Sequence, residues 1–534
     1  MTDSQAGAAA SEPHPVEAAI APGYEFDQPV VELGALMVDA ETVTDTAIRI
    51  PLAMFNRHGL VAGATGTGKT KTLQLLAEQL SAAGVSVFAA DVKGDLSGLG
   101  VAGAADAKIA ERAAGVGQQW EPKGFPVELL ALGGRGVGIP VRVTMSSFGP
   151  LLLAKVLGLN ATQESSLGLV FHYADQAGLP LLDLADLRAV VQHLTSAEGK
   201  ADLKALGGLS SATAGVILRE LIAFADQGAD AFFGEPEFDT ADLFRVADDG
   251  RGVVSLLELP ELADRPAVFS TFLMWLLADL FNDLPEVGDT DRPKLVFFFD
   301  EAHLLFKDAS KDFLEQIAQT VRLIRSKGVG VFFVTQAPTD VPDDVLAQLG
   351  SRIQHQLRAH TPRDAKALKQ TVDTYPHPAY DDLGEVLTSL GIGEAVVTVM
   401  NDKGAPTPVA WTRLRAPESL MAPADAPWLS AQVAASPLAP KYADALDRES
   451  AREILARRLE QGAQKAADEA AEASDDGLAP HQREAEKLSR RRTPTQRKPE
   501  RDLTELVVES GAFKEFMRTA AREIARGVFR TGRR

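Results

Sequence analysis

Apolar residues recur with two different periods along this chain, and the changes from one period to the other outline its architecture. Short alternating runs near the start, Val30-Val31-Glu32-Leu33 and Ile48-Arg49-Ile50-Pro51, predict small strands in a β segment over 24–56. A strand over 58–62, a loop over 63–68 and a helix over 69–83 come next. That helix carries Leu73, Leu76, Ala77 and Leu80 on one face. Gly84 closes it, and Val85-Ser86-Val87-Phe88-Ala89-Ala90 has the unbroken apolar character of a buried parallel strand. Strand, helix and strand in this order make a βαβ unit.

From 148 to 249 the period becomes helical. Asn160-Ala161-Thr162-Gln163 has the form of a capping box, with Leu167, Val170, Phe171 and Ala174 following at helical spacing. Val216, Ile217, Leu221 and Phe224 mark a second amphipathic helix. Strand patterns return over 252–259, 294–299, 330–335, 352–357 and 394–400, separated by helices over 267–281 and 313–326. The expected fold is therefore α/β with a mainly parallel central sheet, its core at 57–147 and 250–415, interrupted by an α-helical insertion at 148–249. Residues 1–23 are rich in Ala, Ser, Glu and Pro and lack the basic start and apolar centre of a signal peptide, so they read as a disordered leader. Residues 416–502 read as a linker with a low-complexity section. Residues 503–534 read as a basic amphipathic C-terminal helix, with Leu506, Phe513, Met517, Ala520, Ile524 and Val528 in its apolar positions. The most apolar stretch, 267–278, falls short of the roughly 18 residues that span a bilayer, so no membrane span is expected.

Composition narrows the chemistry. With 45% hydrophobic residues in 534, the chain can bury a sizeable core. The absence of cysteine excludes a disulfide framework, thiolate catalysis and Cys-based metal sites, and suits a cytoplasmic protein. The net charge of −20 divides into +7 over 481–534 and −27 elsewhere. An acidic body is a poor match for a phosphate backbone, while the basic tail offers a surface for an anionic partner or for docking.

The string Gly63-Ala64-Thr65-Gly66-Thr67-Gly68-Lys69-Thr70 fits G-x-x-x-x-G-K-[ST] in full, between a strand and an amphipathic helix. Its backbone amides and helix N-terminus suit phosphates, with Lys69 reaching the β- and γ-phosphates, Thr70 ligating Mg²⁺ and Lys71 alongside. The apolar run Leu295-Val296-Phe297-Phe298-Phe299 ends in Asp300-Glu301, where Asp300 suits Mg²⁺ and Glu301 suits activation of water. A further strand ends at Gln336, an amide able to contact the γ-phosphate or the water. Asp91 ends the second strand of the βαβ unit, at the edge where parallel sheets bind ligands. His303 completes an Asp-Glu-Ala-His string and reads more simply as a solvated residue. Arg57, Arg322, Arg325, Arg352 and Arg358 are the arginines nearest these strands.

Together, the loop at 63–70, Asp91-Val92-Lys93-Gly94-Asp95, Asp300-Glu301 and Thr335-Gln336-Ala337-Pro338 resemble, in this order, the HerA/FtsK branch of P-loop ATPases. Asn56-Arg57-His58-Gly59-Leu60-Val61-Ala62-Gly63 resembles its bacterial YjgR-like, HerA-like subgroup. The resemblance covers about 26–414. It implies a RecA-like motor using ATP and Mg²⁺, assembled as a homo-oligomeric, hexameric ring and translocating double-stranded DNA. It also implies Glu301 as catalytic base, Gln336 as γ-phosphate sensor, Asp91 as a site residue, Arg57 as a finger acting in trans and Arg325 as a sensor. A different class of function, an ATP-driven switch or scaffold acting on protein partners, fits the same loop and carboxylates. The Asp-Glu-Ala-His string does not indicate a DEAH-box helicase, because the spacing is wrong and a second motor domain is missing.

Overall fold

The computed structural model describes residues 13–203, 207–288, 290–307, 309–376 and 379–476. Its strands are β1 (Val30–Val38), β2 (Glu41–Pro51), β3 (Gly59–Ala62), β4 (Ser86–Asp91), β5 (Val127–Leu132), β6 (Ile139–Val141), β7 (Val254–Glu258), β8 (Leu295–Phe299), β9 (Val329–Thr335), β10 (Ser351–Gln354), β11 (Glu394–Thr398) and β12 (Ala410–Leu414). They form one sheet in the order β2-β1-β12-β11-β10-β3-β9-β8-β4-β7-β5-β6. Every pairing from β10 through β6 is parallel, whereas β2, β1, β12 and β11 extend the sheet with antiparallel pairings. Parallel strands order their carboxyl ends along one edge, so the turns after β3, β9, β8, β4 and β7 share it.

Alternation along each strand fills both faces. Phe88 and Ala90 of β4 join Phe297, Phe299 and Phe333 on one side, beneath the helices Pro266–Asp283 and Lys311–Ile324. Val87 and Ala89 point the other way, with Val296, Phe298, Phe332 and Val334, against Leu73, Leu76, Ala77 and Leu80 of the helix Lys69–Ala82. Burial on both faces explains why these strands read as unbroken apolar runs. The helical insertion packs on the first face: Ala161–Gln176, Leu184–Thr195 and Ser211–Asp226 contribute Leu167, Leu187, Ile217 and Leu221 to that core. The capping box at Asn160 and Gln163 forms as the sequence predicts.

Three segment readings change. The β segment at 24–56 does hold two strands, but it is continuous with the core, because β1 pairs with β12 and joins the central sheet. The described part of the supposed leader is ordered. Pro15–Ile20 is helical and Ile20 is buried; just beyond the leader, Tyr24 is buried too and its hydroxyl donates to the carbonyl of Pro408 at 2.7 Å. The stretch after 415 is not a free linker either. Glu78 accepts from the amides of Glu418 and Ser419 at 2.9 Å each, and Gln74 donates to the Ser419 hydroxyl and the Leu420 carbonyl. Helices Ala426–Ala434 and Ala451–Asp476 follow. Composition marked these segments as loose because their anchoring lies in hydrogen bonds to distant residues. The expected C-terminal helix at 503–534 lies outside the described residues.

Candidate nucleotide site

The loop after β3 rises from the sheet edge into the helix Lys69–Ala82. Gly63, Gly66 and Gly68 have φ of 156°, 84° and 111°, a region L-residues rarely adopt. At Gly63 a Cβ would also lie 2.4 Å from His355 Cβ, so only glycine fits. Neighbouring strands hold the loop: the Gly63 amide donates to Thr335 O at 3.2 Å and the Ala64 amide to Gln356 O at 2.8 Å. Beneath it, buried His355 meets the Thr72 hydroxyl at 2.9 Å, and burial pushes its imidazole down to about 4. Lys69 Nζ donates to the carbonyls of Gly63 (2.7 Å) and Ala64 (3.1 Å). Burial lowers its pKa, opposed by the charge of Glu301. Thr70 is half-buried in the first turn of the helix, next to Lys71.

Asp300 and Glu301 follow β8, two strands from β3. Asp300 is buried, its Oδ2 has no hydrogen-bond partner, and burial pushes the carboxyl up to about 7 against the charge of Lys93. Glu301 takes φ of 48°, uncommon for a non-glycine residue and typical of functional turns. Its Oε1 pairs with Lys93 Nζ, and Oε2 lies 3.2 Å from His303 Nδ1. The histidine first, then the lysine, hold this carboxyl down at about 2. Gln336, just past β9, lines a cavity of about 380 Å³ with Ala64, Thr65 and Arg358. Arg358 Nη2 donates to Thr65 O at 3.2 Å.

Asp91 has a different local task. Its buried carboxylate accepts from the amides of Lys93, Gly94, Asp95 and Leu96 at 2.7–3.3 Å, which folds the loop after β4. Burial still pushes its pKa up to about 6. Arg57 and Arg325 sit at the other edge of the sheet, before β3 and β9, where both lower the pKa of buried His58 after the larger effect of burial. At about 3.3 Å per residue, the length of β3 separates them from their own loop. Neither arginine therefore joins the loop of its own chain.

Beside the loop, a cavity of about 260 Å³ is lined by Gly68, Lys71, Thr72, Ile392, Leu414 and Met421. Arg112 closes one wall by donating to the carbonyls of Ile392, Gly393 and Leu414.

Comparison with known families settles the lineage of this arrangement. The model of the helicase HerA-like C-terminal family matches residues 37–534. The chain belongs to that family. Over 368 residues it is 22% identical to the DNA double-strand break repair helicase HerA of Saccharolobus solfataricus. That match takes in 68% of this chain and spans 66% of the length of that relative, just under two thirds. Among solved structures, the plasmid coupling protein TrwB in complex with the non-hydrolysable ATP analogue ADPNP superposes with a TM-score of 0.49 at 16% identity, covering 74% of this chain and 98% of TrwB. VirB4 of Thermoanaerobacter pseudethanolicus gives 0.46 at 13%, covering 76% and 99%.

Within this HerA-like chain, the structure adds Lys93, His355 and Arg112 to the residues singled out in the sequence, and places Arg358, one of the arginines noted there, against the loop at Thr65. Lys93 stood inside a motif already singled out, Asp91-Val92-Lys93-Gly94-Asp95. His355 and Arg112 carried no local signal, since each acts across nearly three hundred residues of chain.

Proposed function

We propose that this HerA-like chain hydrolyses ATP with Mg²⁺, as the oligomeric motor of a DNA translocase. The observation that carries the reading is the shared sheet edge: the glycine loop with Lys69 after β3, and the buried Asp300 with its unpartnered Oδ2 and Glu301 after β8, stand at carboxyl ends of parallel strands that flank β9. Thr70 and Asp300 would hold Mg²⁺. Among the described residues no group of three or more His, Asp or Glu could hold a metal by itself. That suits Mg²⁺, which takes one or two protein oxygens and completes its shell with phosphate and water. The bound ion would neutralise phosphate charge.

The protein's own contribution is binding and orientation. Amides of the loop and the N-terminus of the helix Lys69–Ala82 bind the phosphates, and Lys69 exchanges its loop carbonyls for phosphate oxygens. The cavity beside Gly68 and Thr72 receives the base. Glu301 orients water for attack on the γ-phosphate and takes its proton, while Gln336 and Arg358 reach the same oxygens from the other side. Assembly into a ring would bring Arg57 of one copy to the site of the next. The DNA reading draws support from the named activity of the Saccharolobus helicase.

Steady-state hydrolysis with and without duplex DNA, across a salt series and alongside native mass by light scattering, tests this. Lys69→Ala and Glu301→Gln should both lose turnover, the Glu301 variant still binding ATP. Full turnover in both variants would refute the site. An ATPase unmoved by DNA at any salt concentration would leave hydrolysis standing and favour a switch acting on protein partners.

A further inference from the structure

The loop after β4 ends against the carboxylate that follows β8. Four consecutive backbone amides, those of residues 93–96, donate to the one Asp91 carboxylate, so the backbone of Lys93 is fixed. From there its ammonium pairs with Glu301 Oε1. The Glu301 backbone is fixed as well: the following amide, of Ala302, donates to Val334 O at 2.8 Å, and Glu301 O accepts from the Leu304 amide at 2.9 Å. Its side chain still has three torsions; among the described residues Lys93 pairs with Oε1, while His303 Nδ1 lies 3.2 Å from Oε2. Glu301's side chain is 10% exposed against 44% for Lys93, so the pair is a buried carboxylate steered by a cation reaching in from the surface.

We propose that Lys93 is a positioning residue for hydrolysis: held by the Asp91 turn, it fixes the rotamer of Glu301 so that the carboxylate meets the attacking water. This rests on the reading of Glu301 as the residue that activates water. Lys93 works through Glu301 and contributes turnover, not ATP affinity. Misplacing a catalytic group by about 1 Å costs on the order of a hundredfold in rate. Lys93→Met keeps the aliphatic stem and removes the charge. It should lower kcat by about 10- to 100-fold with KM for ATP within about twofold, and Lys93→Arg should recover most of the loss.

The experiment measures kcat and KM for wild type, Lys93→Met, Lys93→Arg and Lys69→Ala, with urea midpoints to establish folding. Unchanged kcat in Lys93→Met overturns the proposal, as does a raised KM at full kcat, or an increase in kcat, which would make Lys93 a restraint. If Lys93→Met does not fold, Asp91→Asn loosens the turn and keeps the lysine. It should lower kcat at unchanged KM, and full kcat in it overturns the proposal. Lys69→Ala separates the two readings. If it turns over at the wild-type rate, the assignment of the site, and of Glu301 within it, fails. If it is inactive while Lys93→Met is not, only the role of Lys93 fails.

Discussion

Replacing Glu258 by Gln should make the protein's stability less sensitive to a rise in pH from about 5 to about 8. Glu258 ends β7, registered against Asp91 at the end of β4. It is 9% exposed, its Oε1 has no partner, and burial first, then Asp91 and Asp95, raises its carboxyl to about 8. In the unfolded chain the group ionises near pH 4.5. Below that pH both states are protonated and the group leaves stability unaffected. As pH rises from 4.5 toward 8, the unfolded state releases a proton that the folded state retains, so stability falls by up to about 1.4 kcal/mol per pH unit. Between pH 5 and pH 8 the loss from this one group amounts to about 3–4 kcal/mol at most. Glu258→Gln keeps the shape and removes the titration. Urea unfolding followed by tryptophan fluorescence at pH 5, 6, 7 and 8 compares the two proteins. The stability difference should grow with pH in favour of the variant. Parallel pH profiles would refute the assignment of a buried, neutral Glu258.

Two other perturbations probe the loop and its anchoring. Gly63→Ala places a Cβ 2.4 Å from His355 Cβ at φ of 156°, so binding of a fluorescent ATP analogue should weaken at least about tenfold. Undiminished binding would show that the loop needs no glycine there. Glu78→Ala strands the buried amide of Ser419 and the part-buried amide of Glu418, and should lower stability in urea by about 2–4 kcal/mol while speeding proteolysis between 415 and 425. A change below about 0.5 kcal/mol would return the segment after β12 to the status of a free linker.

Hydrophobic rhythm alone determined the parallel core of this protein. Strands buried on both faces must be apolar throughout, so β4, β8 and β9 were visible as unbroken runs, and the glycine loop, Asp300-Glu301 and Gln336 were legible at their ends. Capping chemistry is equally local, which is why the helix beginning after Asn160 was placed correctly. Three strands, β5, β6 and β12, passed unnoticed. β6 is only the three residues Ile139-Pro140-Val141, and the other two carry charges inside the run: Glu128 is neutralised by Arg245 at 2.6 Å, and Arg413 sits on the antiparallel extension of the sheet. Only the tertiary structure decided what each site residue faces. Asp91 and Lys93 are neighbours in sequence, yet one folds its own turn and the other reaches Glu301, more than two hundred residues away. Arg57 lies six residues before Gly63 and still stands at the opposite edge of the sheet, because a strand runs between them. Residue type and spacing specify which chemistry a chain can carry. Which atoms meet is set by strand order, a property of long-range pairing that no local window of the sequence contains.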